Sequence, residues 1–273
     1  MEMQYRVSWW TYAIVIVVGL ILFFPFAWML ATGLMTTTQT LLVPPNVIPS
    51  PPTLEGTEEV FKRIPFFTLL LNTVIVSVSR SFITIVVCSM AAYALAVIKV
   101  PGTGVIMVLI LALLMVPGDV FVIPNFAIIA SLGLTDTLTA LVLPSVFDVF
   151  GVFLLYQFFR GVPRELIEAA RMDGASHPRI LATIVVPVAR SGVLSLAILA
   201  VLFEWKDLLW PIVVNRSADK LTLGPGLALL RGTYITDWNV VMAAGVMAAL
   251  PMIIIFLVLQ KQFIASLSRS GLK

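Results

Sequence analysis

Trp9–Ala31 reads WWTYAIVIVVGLILFFPFAWMLA, and this run decides the fold class. A helix needs about 20 apolar residues to cross roughly 30 Å of hydrocarbon, and here no charged residue occurs from Val7 to Leu54. Trp9, Trp10 and Tyr12 at its leading edge suit the membrane interface, where amphipathic rings anchor a helix. The run is long enough to span and lacks a clear small-x-small cleavage site, so it is expected to be a retained first helix rather than a signal peptide. The remainder has the same character. Of 273 residues, 60% are hydrophobic and only 11% charged, with a mean hydropathy of +1.07. Soluble domains carry about a quarter charged residues, so most of this surface faces lipid or apolar partners. The class is an all-α membrane protein.

Outward from that helix, Pro44, Pro45, Pro49, Pro51 and Pro52 exclude a helix and predict an extended loop. A second span runs Phe66–Ile98, interrupted by Arg80 and closed by the turn Lys99-Val100-Pro101-Gly102. A third is expected at Gly104–Val120, ending on Pro117-Gly118-Asp119, with 121–136 lying at the interface. The fourth is Leu138–Phe159, with Pro144 and Asp148 inside it. A polar segment covers 160–183, the fifth span is Ile184–Phe203, and the sixth is Trp238–Gln260 before a basic tail at 261–273. The expectation is one transmembrane domain over 1–273, with six transmembrane helices, the first at about 9–31 and the core spans within 66–260.

Lys and Arg placement sets orientation. With the N-terminus inside, the inner segments hold Arg6, Lys99, Arg160, Arg164, Arg171, Arg179, Lys261, Arg269 and Lys273. The outer segments 32–65, 121–137 and 206–237 are longer in total yet hold only Lys62, Arg63, Lys206, Arg216, Lys220 and Arg231. Both termini are therefore expected in the cytoplasm.

Several functions are excluded. A net charge of +3, scattered along the chain, forms no basic stripe for nucleic acid. Cys88 is the only cysteine and His177 the only histidine, so neither a disulfide nor a metal-ligand cluster is available. No glycine is followed by lysine, so the chain has no phosphate-binding loop of the G-x-x-x-x-G-K type. With no nucleophile–base pair either, no catalytic residue is assigned and the chain is not expected to be an enzyme. Arg80, Asp119, Asp148 and Glu204 are ionisable residues in or beside spans. They are candidates for a translocation path, against the plainer alternative of intramembrane pairing. Trp205, Asp207, Trp210 and Tyr234 are candidates for an outer surface, although aromatic residues at a membrane edge more often serve as anchors.

The most informative polar segment is Gly161-Val-Pro-Arg-Glu-Leu-Ile-Glu-Ala-Ala-Arg-Met-Asp-Gly-Ala-Ser-His-Pro-Arg-Ile-Leu. Pro163 suits a first helical turn, and Glu165 and Glu168 favour the positive end of the helix dipole. Leu166, Ala169, Ala170 and Met172 give an apolar surface. Gly174 then predicts a helix stop, and Ser176 with Pro178 a fresh start. The reading is helix, break, helix between spans four and five, a knob able to enter a groove on a partner.

Glu168-Ala169-Ala170-x-x-Asp173-Gly174-Ala175, with Pro187 downstream, resembles the EAA loop of ABC importer permeases. The resemblance covers nearly the whole chain. Asn72, the Ala91-Ala92-Tyr93-Ala94 run and Pro101-Gly102 are similar to the second-span region of maltose-type carbohydrate permeases. So are Pro117, Pro124 and Gly133-Leu134 to the following segment, and Trp205-x-Asp207-x-x-Trp210-Pro211 to the outer loop entry. Thr236-Asp237-Trp238 with Pro251 resembles the last span. Lys206, Glu204, Pro178 and Leu181 depart from the usual residues. The resemblance implies a type I importer permease fold in a bacterial cytoplasmic (inner) membrane. It implies a second permease, two ATP-binding subunits carrying ATP and Mg, and an extracytoplasmic solute-binding protein for a sugar-like solute. Glu165, Glu168, Ala169, Ala170, Asp173, Gly174, Ala175 and Pro187 would then couple this chain to the ATPase. The competing classes are a subunit of a secondary transporter or channel, which would show internal repeats or paired broken helices carrying midplane ionisable residues, and a structural subunit of a secretion or assembly complex, which would not explain the EAA spacing. No repeat relates the two halves.

The orientation has a direct check. Ser217→Cys, in a Cys88→Ser background, is expected to react with an impermeant thiol reagent added to intact cells. Labelling only after lysis would overturn the orientation.

Overall fold

The computed structural model describes residues 8–44, 46–232 and 236–270, and the regular elements among them are all helical. In chain order, α1 is Trp9–Gly33, α2 Glu55–Arg63, α3 Phe66–Tyr93, α4 Thr103–Leu114 and α5 Val122–Ser131. Then come α6 Leu138–Val142, α7 Val149–Arg160, α8 Arg164–Met172 and α9 His177–Ile180. Three more are α10 Arg190–Trp205, α11 Leu209–Val214 and α12 Trp238–Ser270, and shorter helical turns such as Thr37–Thr40 and Leu223–Ala228 lie between the numbered helices.

Three stretches are long and apolar enough to cross a bilayer as single helices: Trp9–Gly33, Phe66–Ile98 and Trp238–Val258. The other three spans are bent pairs. Thr103–Leu114 turns by 95° into Gly118–Ser131, Leu138–Ser145 by 51° into Val149–Arg160, and His177–Val188 by 86° into Arg190–Trp205. Counting each pair once gives about six spans, as expected. Two boundaries differ. The third span leaves helical geometry at Leu114 rather than Val120, because Pro117 supplies no N–H and disfavours helix in the residue before it. The fifth, expected from Ile184, is a helix from His177 that bends at Ala189 (φ −90°, ψ 20°) and continues as Arg190–Trp205. At 1.5 Å per residue, the 12 residues of α4 rise only about 18 Å.

The chain forms two compact units, Met1–Phe66 with Gly226–Ile254, and Phe67–Pro225 with Ile255–Lys273. In the first, α1 buries nothing along its membrane window, and only Thr32 and Gly33 at its end are covered. There the backbones meet. A Cβ on Gly33 would lie 3.0 Å from the Ala243 nitrogen, and one on Gly56 only 2.7 Å from the Asn239 carbonyl oxygen. Polar contacts hold α2 to the start of α12. Arg63, also bonded to Glu59 of its own helix at 3.2 Å, pairs with Asp237 at 2.7 Å, and ahead of α2 the Thr37 hydroxyl donates to Asn239 Oδ1 at 3.3 Å. Met35, Val60, Val240 and Ala244 are buried beneath them.

In the second unit, α3 reads as a striped helix. Thr73, Ser77, Ser81, Thr84 and Cys88 are buried, while Leu71, Val78, Phe82 and Met90 are exposed. Small residues at three- and four-residue spacing let neighbouring helices approach closely in a medium without a hydrophobic driving force. Cys88, Ala92, Val152, Leu155, Phe159 and Leu196 join α3, α7 and α10 in one core. Val76, Ile129, Ala140, Leu141, Trp210 and Val214 form another. A loop is tied to the start of α3: the Asn72 amide donates to the carbonyls of Asp219 (2.8 Å) and Leu221 (2.9 Å). Thr73 Oγ1 accepts from the Leu223 amide at 2.7 Å. Asp136 caps the same loop, accepting from the Ser217 hydroxyl and from the amides of Ser217 (2.9 Å) and Arg216 (3.0 Å). Those bonds, the hydroxyl first, hold its carboxyl below the usual range.

Gly56→Ala is expected to destabilise the first unit by about 1–3 kcal/mol, the cost of overpacking a closed contact. Gly19→Ala, with open space around it, should leave stability unchanged or slightly raised. Equal thermal unfolding of the two variants in detergent would contradict the close approach.

Candidate functional site

The polar segment after α7 is built as a compact helical corner. Arg160 ends α7, Val162 turns inward, and Pro163 in extended geometry (φ −56°, ψ 131°) starts α8. Within α8, Ile167 is buried and Ala170 packs beside it against the α3–α7–α10 core. The helix ends at Gly174, whose φ is +77°. The Ala175 amide donates to the Ala170 carbonyl (2.9 Å) and the Gly174 amide to that of Arg171 (3.0 Å). That pair of bonds is a Schellman closure, which requires a left-handed residue. No atom crowds Gly174, so its identity answers to backbone conformation alone. Ser176 restarts the chain as α9, as the sequence implies.

Ala170 faces inward, not outward with Leu166, Ala169 and Met172 as expected. The outward surface is Glu165, Leu166, Glu168, Ala169, Met172 and Asp173, with Met172 88% exposed. No salt bridge engages Glu165, Glu168 or Asp173 among the described residues. Ala175 is half-buried, and Pro187 is exposed.

The segment is fastened by a contact that the sequence did not signal. His177 Nδ1 lies 2.9 Å from the Tyr93 hydroxyl, joining α9 to the end of α3 across 84 residues of chain. Beyond α9 the helix widens into a π turn at Leu181–Val185. Pro187 follows two residues later. It cannot donate to the turn behind it, and a widened turn accommodates such a break.

The intramembrane candidates are not one cluster. Arg80 is hydrogen-bonded to Glu204, which is 2% exposed, and lies 3.9 Å from Asp207. Asp119 is exposed and makes no ion pair with Arg80 among the described residues. Asp148 caps α7, accepting from the Gly151 amide at 2.9 Å, which is how the chain restarts after the 51° bend. Trp210 corrects the outer-surface expectation. It is buried, with its indole N–H donating to the Ala140 carbonyl at 3.0 Å. Trp205 is half-buried, Asp207 accepts from the Trp210 amide at 3.4 Å, and Tyr234 lies outside the described residues.

The family described as "Binding-protein-dependent transport system inner membrane component" matches residues 3–269. The chain is 34% identical over 244 residues to the arabinooligosaccharides transport system permease protein AraQ of Halalkalibacterium halodurans, covering 89% of this chain and 86% of that protein. It is 30% identical over 263 residues to the sn-glycerol-3-phosphate transport system permease protein UgpE of Yersinia pestis, covering 93% and 94%. To the sulfoquinovosyl glycerol transport system permease protein SmoH of Agrobacterium fabrum it is 32% identical over 252 residues, covering 92% and 88%. The fold matches a chain from the crystal structure of a bacterial ABC transporter involved in the import of the acidic polysaccharide alginate. That match has a TM-score of 0.81 at 21% identity, over 96% of this chain and 98% of the other.

Arg80→Leu leaves Glu204 buried without its partner, a change that costs about 3–5 kcal/mol. The variant is expected to lose thermal stability, and Arg80→Leu with Glu204→Leu to regain most of it. A single variant as stable as the parent would contradict the pairing.

Proposed function

The chain belongs to the family of binding-protein-dependent transport system inner membrane components, and from that membership we propose that it carries a sugar or sugar-like solute across the membrane by alternating access. The relatives named for arabinooligosaccharides, glycerol phosphate and sulfoquinovosyl glycerol support a polyhydroxylated solute. A second permease would complete the path, and a solute-binding protein would deliver the solute from outside. Two ATP-binding subunits, holding ATP and Mg, would drive the cycle from the cytoplasmic side, where both termini lie.

One observation carries the coupling role: the outward face of α8, ended by the Gly174 turn, presents unpaired carboxylates beside apolar side chains. A chain with no phosphate-binding loop must receive its driving force through contact. In this reading α8 and α9 sit in a cleft of the ATPase. Glu165, Glu168 and Asp173 meet its polar rim, while Leu166, Ala169 and Met172 fill its floor. Gly174 sets the angle between the helices, and Ala175 with the Tyr93–His177 bond ties the corner to the bundle. Pro187 marks where the segment turns towards α10. ATP and the loaded binding protein must together prefer the outward-open state. Moving such an equilibrium from 1:99 to 99:1 takes about 5.5 kcal/mol of differential binding.

Reconstituted with its partners in proteoliposomes, Gly174→Val and Glu168→Lys are each expected to lower uptake and solute-stimulated ATP hydrolysis together. Insertion and capture of the loaded binding protein should stay normal. Gly174→Asn, which tolerates left-handed geometry better, should lose less. Parental coupling in both Gly174→Val and Glu168→Lys would refute the assignment.

A further inference from the structure

Tyr93 is the last residue of α3 and is buried. Its hydroxyl lies 2.9 Å from His177 Nδ1 on α9, and the two rings meet edge to face at 5.8 Å. The Arg171 guanidinium of α8 stands close to the same hydroxyl. One buried oxygen thus faces both helices of the corner. In the chain α8 follows α7 and α9 leads on to α10, whereas α3 adjoins neither α8 nor α9. Among the described residues, the bond to Tyr93 is the one hydrogen bond that α9 makes with a distant part of the chain. Both partners border π turns, at Ala94–Ile98 directly after Tyr93 and at Leu181–Val185 directly after α9, a geometry that gathers at functional sites. The far end of α3 is tied as well. Thr73 Oγ1 accepts from the Leu223 amide, and the Asn72 amide donates to the carbonyls of Asp219 and Leu221. From Thr73 to Tyr93 the helix is continuous and rises about 30 Å, the depth of the hydrocarbon.

We propose that α3 is the rod that carries movement of the α8–α9 corner to the loop at 217–223 on the opposite face of the membrane, with Tyr93 and His177 as the positioning residues that engage it. The inference rests on the coupling reading of α8 and α9 and adds which span receives the movement. Helices α7 and α10 are covalent continuations of the corner and follow it in any case. Helix α3 follows only where it is gripped, and the grip is the Tyr93 hydroxyl.

The test uses the assembled importer carrying Ala218→Cys, an exposed position in that loop, in a Cys88→Ser background. The rate of labelling by an impermeant maleimide is compared without nucleotide and with ATP and vanadate. In this parent the nucleotide is expected to change the rate. Tyr93→Phe, which keeps the ring and removes the hydroxyl, should shrink that response by about fivefold, the worth of one net hydrogen bond. Its rate without nucleotide should stay parental, which a general loss of structure would not allow. His177→Leu should shrink the response equally, and the double variant no further, because both remove the same bond. His177→Asn, whose amide can bond from the Nδ1 position, should keep most of it. His177 is exposed, so its variants decide the matter should Tyr93→Phe fail to assemble. A parent without a nucleotide response, or multiplied losses in the double variant, overturns the proposal. A full response in Tyr93→Phe alongside a loss in Gly174→Val overturns it and leaves the coupling reading standing. A full response in Gly174→Val and Glu168→Lys as well removes both.

Discussion

A bilayer offers no hydrogen bonds to a polypeptide, so every backbone group at depth must be satisfied by the protein itself. This requirement explains where the chain departs from helix and what it does there. At the 51° bend, Asp148 accepts from the Gly151 amide and the next helix starts capped. At the end of α3, the π turn runs on to Lys99 in left-handed geometry, whose amide donates to the Ala94 carbonyl at 3.0 Å. At the end of α8, two amides close the helix around Gly174. α1 and α12 run through their apolar windows as continuous helices. The interruptions carry caps.

Charge is distributed by the same logic. Arg80 sits within the span of α3 and is held against Glu204, because an isolated Arg at helix centre costs about 2.5–3.5 kcal/mol even on lenient insertion scales. Around α8 the carboxylates and guanidiniums stand at the edge, where water or another molecule meets them. Arg80–Glu204 holds the bundle together from within, whereas no salt bridge among the described residues engages the carboxylates of α8.

Hydropathy located the apolar stretches well. Trp9–Ala31 became Trp9–Gly33, and the second span ended at Ile98 as read. The stop at Gly174 and the start at Ser176 were legible because left-handed closure and helix initiation are local, set by a few adjacent residues. The turns of 95° and 86° were not, because a hydropathy profile reports how apolar a stretch is and not which way it points. Pro117 and Pro187 marked the places without giving the angles. Intramembrane pairing was the plainer reading of Arg80, and the structure supplies Glu204 as its partner. The burial of Trp210 and the Tyr93–His177 bond were out of reach, since each depends on residues distant in sequence meeting in space.

The π turns at Ala94–Ile98 and Leu181–Val185 flank the segment built around α8. Each holds one more residue than an α-helical turn of the same height. A helix that already contains such a surplus can move it along its length while keeping each amide bonded. Reverting the turn to ordinary winding would rotate everything beyond it by about 100°. Between α9 and α10 the surplus lies just before the 86° corner, a joint that can twist without melting.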